Sequence, residues 1–240
     1  QDYLEAAYLE ESNKASPNRE KLRRISMMGA WFIGGFCTGL RGEEMTLIEL
    51  AGTSASLRLL FHPEPDLPAH FLFLVSGRTK GHQESGAKFA LPCVGVTQSG
   101  LKPGCWVYRY CMDMDKCGFR TGKLFTMGRA GRLQQRQPRL VDFEDAFYST
   151  IEAIQAQQNS LIPPDVMVRE AYGILRSLRR GVTAHATNER IDGDLLAAIN
   201  RWHSELRAHN KGRVAALSMP EMYAQLDHIK KFLLGFSGAI

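Results

Sequence analysis

Residues 173–186 read GILRSLRRGVTAHA, and Arg176, Arg179 and Arg180 crowd three fixed positive charges into five residues of an otherwise apolar segment. At helical spacing Leu175, Leu178 and Val182 form a buried stripe and leave Arg176 and Arg179 one turn apart on another face. Two guanidiniums so spaced make a fork for a phosphate. The same residues equally suit the solvated basic face of an amphipathic helix, so the rest of the chain has to separate the two.

The 240 residues, 44% of them hydrophobic and 23% charged, describe a folded chain that holds one large or two small domains. A net charge of +5 and a pI near 9.0 favour polyanionic partners over acidic protein surfaces. Cys37, Cys93, Cys105, Cys111 and Cys117 are odd in number and scattered without a zinc-site spacing, which fits reduced intracellular thiols and no metal. The longest uncharged run, Ile25 to Leu40, falls short of the ~20 residues needed to cross a bilayer and reads as a buried helix, so no membrane partner is expected. The chain opens on Gln1 without a signal peptide, as expected of a piece of a longer protein.

Residues 2–13 pattern as an acidic amphipathic helix ending at Ser16-Pro17-Asn18, and residues 1–18 are read as an N-terminal segment or the remnant of an upstream DNA-binding domain. A second helix runs from Arg19 towards Gly39, with Ile25, Met28, Phe32 and Phe36 inward and Gly39 placed to end it. A third is expected over Gly42 to Leu50, which leaves Arg41 at the corner and Glu44 one turn on, able to brace it. Residues 56–61, 71–76 and 88–94 are rich in β-forming residues and bounded by Pro and Gly, so they predict a small three-stranded antiparallel sheet. The last two are joined by a basic hairpin loop carrying Arg78 and Lys80. Residues 101–118 and 142–159 read as helices. Between them a loop with Arg129, Arg132, Arg136 and Arg139 is either solvated or laid along a phosphate backbone. Pro163-Pro164-Asp165 is expected to start the helix carrying the opening stretch. A short helix over 192–202, a polar basic segment with Arg207, Lys211 and Arg213, and a last amphipathic helix over 224–236 complete an α+β, mostly α-helical chain.

In order, the chain presents Arg41, a hairpin Lys80, Arg176-Ser177-Leu178-Arg179, Arg201-Trp202-His203-Ser204 and an isolated Tyr223. This order resembles the tyrosine recombinase (phage integrase) family. Thr38 to Met45 is similar to that family's first arginine box, with Glu44 at its acidic position. Arg78-Thr79-Lys80 looks like its lysine hairpin. Residues 176–179 stand where the family has His-x-x-Arg, Trp202 where it has His or Trp, and Tyr223 where it has the nucleophile. The resemblance spans about residues 20 to 235, and its specificity lies in the order of the motifs.

The resemblance implies a catalytic domain over residues 19–240 that cleaves and rejoins double-stranded DNA through a 3′-phosphotyrosine, without metal or other cofactor. It assigns phosphate clamping to Arg41 and Arg179, general-acid catalysis to Lys80, hydrogen bonding to Trp202 or His203, and attack to Tyr223, with Arg180 as a flanking DNA contact. Arg176 replaces a histidine proposed to accept the tyrosine proton, and arginine cannot be that base, so a third phosphate clamp is its expected role. By the same resemblance the enzyme is expected to come from a mobile element, to act inside the cell, in the nucleus of a eukaryote or the cytoplasm or nucleoid of a bacterium or phage host, and to form dimers or tetramers on DNA through its C-terminal helix. A type IB topoisomerase and a DNA-binding protein with a decayed site remain the alternatives.

Overall fold

In a computed structural model, residues 1–51, 57–61, 69–75, 89–127 and 138–191 are described. The chain is mostly helical with small antiparallel sheets, as the sequence patterns imply. Its axis is one buried run. Helix α2 (Arg19–Gly29) passes through a single π-helical turn, Ala30–Gly34, into α3 (Gly35–Thr38). Asn18 caps α2 by accepting from the Lys21 amide, and Gly39, at φ +62°, ends α3 in the left-handed conformation that glycine adopts without strain. The π turn inserts an extra residue into the helical period. The deepest side chains are therefore Met27, Trp31 and Cys37, whereas Ile25, Phe32 and Phe36, expected inward, are only half-buried.

Helix α1 (Asp2–Ser12) packs on this axis and on α5 (Pro103–Lys116). Leu4 enters the core, and the Tyr8 hydroxyl donates to Asp113 at 3.0 Å. Trp31 lies between Phe125 and Phe143, with ring centroids at 5.0 and 4.8 Å, so the aromatic centre joins the axis to α6 (Val141–Gln155). Arg23 is wholly buried, yet its guanidinium is matched. It donates to both Glu20 carboxylate oxygens and, at 2.9 Å, to the Thr126 carbonyl.

Strands β2 (Leu57–Phe61), β3 (His70–Val75) and β4 (Phe89–Cys93) form the expected antiparallel sheet in the order β2-β3-β4, with Leu57 opposite Phe73 and Phe71 opposite Cys93. Phe71, Phe73 and Cys93 are buried, which holds the sheet against α5 and α3. The joining hairpin and Lys80 lie outside the described residues, as does everything after Ile191.

Two expectations fail, and both failures bear on the site. The helix expected over Gly42 to Leu50 stops after one turn as α4 (Gly42–Met45), and Glu49–Ala51 instead forms β1, paired with β5 (Gly122–Lys123). Pairing overrides local preference here. The Ile48 carbonyl takes the Leu124 amide at 2.9 Å, and Lys123 Nζ reaches Glu49 at 3.1 Å. The helix expected to run from Pro163-Pro164-Asp165 through the opening stretch is also broken. Its first part is α7 (Val168–Ala171), Tyr172 is extended, and α8 begins only at Ser177 and runs to Asn188. Ser177 Oγ accepts the Gly173 amide at 2.7 Å, a local bond that competes with helix at a glycine.

Candidate phosphate cradle at the Arg41 turn

Arg41 is the N-cap residue of α4, extended at φ −77° and ψ 154°, because Gly39 has just reversed the chain out of α3. The Glu44 side chain folds back and accepts the Arg41 amide at 2.8 Å, while the Glu44 amide donates to the Arg41 carbonyl at 2.9 Å, and the two bonds fix the turn. Its other oxygen, Oε1, lies 3.4 Å from Arg41 Nη1. The brace anticipated from their three-residue spacing is therefore present.

The same carboxylate also faces the opening stretch. Arg179 sits in the first turn of α8, and its Nη1 lies 4.0 Å from Glu44 Oε2. The Glu44 and Arg179 side chains are 4% and 8% exposed, so this contact is shielded from solvent screening, while Arg41, at 22%, keeps an edge open. Two arginines far apart in sequence thus converge on one buried acid. The convergence depends on α3 packing against α8, where Val182 is fully buried and the Phe36 and His185 rings lie 6.4 Å apart. Burial also pushes the Cys37 thiol, four residues before Arg41 in the chain, up to about 12, so it adds no charge of its own.

Arg176 and Arg179 do not form the fork expected of one helix face. Arg176 precedes α8 with φ −130°, and it is exposed, whereas Arg179 is buried against Glu44. The helix begins one residue too late to place both on a common face. Arg180 is exposed on the outside of α8. Of the remaining sequence-predicted residues, Lys80, Trp202, His203 and Tyr223 lie outside the described residues. So do Arg78, Arg129, Arg132, Arg136, Arg207, Lys211 and Arg213. Arg139, from the same basic loop, is exposed and paired with Asp142 at 3.0 Å.

Sequence reasoning missed two participants. Gly42 donates its amide to the Leu175 carbonyl at 3.2 Å, a backbone link between the Arg41 turn and the lead-in to α8. The only hint was a glycine directly after Arg41. The second is the reach of Glu44 to Arg179, for which local spacing holds no signal.

Chemically, a guanidinium carries five N–H donors, and Arg41 spends its Nη1 on Glu44. The Arg41 fork, anchored from behind by the Glu44 carboxylate and keeping an exposed edge, suits a non-bridging oxygen of a phosphate, whereas the Arg179 Nη atoms are fully buried and add their charge from behind Glu44. Among the described residues no group of His, Cys, Asp and Glu is arranged to hold a metal ion, and no helix is long and apolar enough to cross a membrane. Set against known protein families, characterised proteins and solved structures, the chain has no match.

Proposed function

We propose that this chain is the catalytic domain of a DNA recombinase or integrase of the tyrosine recombinase type, which breaks and rejoins double-stranded DNA without a metal. The observation that carries the proposal is the buried Glu44 carboxylate held between Arg41 and Arg179, the two arginines that the motif order assigns to one phosphate. A tyrosine hydroxyl, with an ordinary pKa of about 10, attacks phosphorus at neutral pH only where cations stabilise the charge that develops. Arg41 and Arg179 supply that charge in place of a metal.

In the reaction, the Tyr223 hydroxyl gives its proton to solvent water and its oxygen bonds to the scissile phosphorus as the bond to the 5′-oxygen breaks, while Lys80 delivers a proton to that leaving oxygen and is reprotonated from solvent. The resulting 3′-phosphotyrosyl link conserves the ester, so a 5′-hydroxyl from a second strand reverses the step and releases Tyr223. Trp202 or His203 donates to the phosphate. Arg176, exposed just ahead of α8, contacts the phosphate or the neighbouring backbone as a cation, not as a proton acceptor. Assembly of dimers or tetramers through the C-terminal helix belongs to the same proposal.

One observation favours a second reading. Arg176 replaces a proton acceptor and stands apart from the Glu44 bridge, as in a DNA-binding protein that has lost its chemistry. A single experiment separates the two. The protein is incubated with nicked DNA in the presence of a chelator, and a covalent adduct is sought on a denaturing gel. The expected result is a metal-independent adduct that Tyr223→Phe removes. DNA binding with no adduct, or an adduct that needs magnesium or survives that substitution, refutes the recombinase function.

A further inference from the structure

The backbone contact at Gly42 has a role beyond holding two loops together. Its amide is bonded to the Leu175 carbonyl, and a Cβ added at position 42 would lie 2.7 Å from the Ile174 carbonyl oxygen and 2.8 Å from Leu140 Cδ2. The first distance decides the matter, because a backbone oxygen cannot rotate away as a side chain can. Ile174 is itself fixed. The Arg176 and Ser177 amides both turn back onto the Gly173 carbonyl, and Ser177 Oγ holds the Gly173 amide. Other glycines between the same elements differ in kind. A Cβ at Gly181 would meet only the Phe36 ring, at 3.3 Å, and one at Gly35 the tip of Leu178, at 2.9 Å.

We propose that Gly42 is a positioning residue. Its missing side chain and its amide clasp the Arg41 turn onto the lead-in of α8, and this clasp sets the distance at which Arg41 and Arg179 share Glu44 and receive one anion. The role of that anion as a scissile phosphate rests on the function proposed above, whereas the clasp itself does not. Gly42 lies between the two arginines' supports, one residue after Arg41 and two before Glu44. Any side chain there opens the clasp by a few tenths of an ångström, and the Arg179 to Glu44 contact, already 4.0 Å, is the first to be lost. Displacements approaching 1 Å at a reacting phosphate cost up to about 100-fold in rate.

The test compares the full chain with Gly42→Ala and Gly181→Ala in three measurements: tungstate affinity by calorimetry, with the Arg41 and Arg179 Nε resonances followed; affinity for a nicked DNA duplex; and the rate of covalent adduct formation on that duplex. Gly42→Ala is expected to retain the helical circular dichroism and to bind DNA within about twofold of wild type. Its tungstate affinity should fall at least fivefold and its adduct rate about tenfold or more. Gly181→Ala should match the wild type. Because nonspecific DNA affinity comes from many backbone contacts, a merely structural defect would not separate rate from affinity in this way. If Gly42→Ala does not fold, amide exchange in the wild type decides. The Gly42 amide should exchange slowly, and more slowly with tungstate. Unchanged tungstate affinity in Gly42→Ala, no tungstate binding by the wild type, or rapid Gly42 exchange would overturn the clasp. A wild type that binds tungstate yet forms no adduct refutes the recombinase function, and the tungstate comparison still judges the clasp.

Discussion

Replacing Glu44 tests the cradle most directly, because one carboxylate performs two separable tasks. It accepts the Arg41 amide at 2.8 Å as a helix cap, and it faces the guanidiniums of Arg41 at 3.4 Å and Arg179 at 4.0 Å. Glu44→Ala removes both. With Arg179 buried, withdrawing its acidic neighbour costs about 3–5 kcal/mol, far above the 0–1 kcal/mol of an exposed pair. Glu44→Gln keeps a carbonyl oxygen of the same reach for the Arg41 amide but loses the charge, and is expected to cost about 2 kcal/mol. In urea, with a slope of about 3 kcal/mol per molar for a chain of this size, the midpoint falls by about 1–1.7 M for Ala and about 0.7 M for Gln. A double-mutant cycle of Glu44→Ala with Arg179→Ala should return a coupling of about 1–3 kcal/mol. A midpoint shift below about 0.3 M for Glu44→Ala, or a coupling near zero, would refute the bridged pair.

Two further outcomes follow from the frame that carries the cradle. Arg23→Ala should lower stability by about 3–5 kcal/mol in the same assay, because it strips a wholly buried guanidinium from Glu20 and the Thr126 carbonyl; a loss under about 1 kcal/mol would mean that Arg23 adds little to the frame. Acid should loosen α1 before the rest. Hydrogen bonds from Lys14 and Lys21, then from the Asn18 amide, hold the Glu11 carboxyl at about 2, below its ordinary 4.5. The folded value is depressed, so Glu11 contributes stability above pH 4.5 that is lost as pH falls towards 2. Glu11→Gln should flatten that acid limb in a pH series of thermal melts, and an unchanged limb would assign the loss to other carboxyls.

Much of the fold is legible because it is local. The β-rich runs separated by Pro and Gly give the three-stranded sheet, Gly39 ends its helix because a left-handed residue is needed there, and the spacing of Arg41 and Glu44 places the brace. Residues 47–50 mislead because their apolar pattern fits one more helical turn, and only the distant partner Gly122–Lys123 makes Glu49–Ala51 a strand. The opening stretch misleads in a similar way. Its period is helical from Leu175 onward, but Gly173 and Ser177 form their own hydrogen bond and delay the helix past Arg176.

By itself the sequence determined which cations the chain possesses, their order, and the acid beside the first of them. Those are properties of neighbours along the chain, where sterics and hydrogen bonding act over a few residues. Tertiary structure alone decided that Glu44 also meets Arg179 and that Arg176 stays outside. These depend on how closely α3 and α8 pack and on the bond from the Gly42 amide to the Leu175 carbonyl. A backbone contact between residues so far apart leaves no periodicity to read, because neither segment is complementary until the core has packed them together.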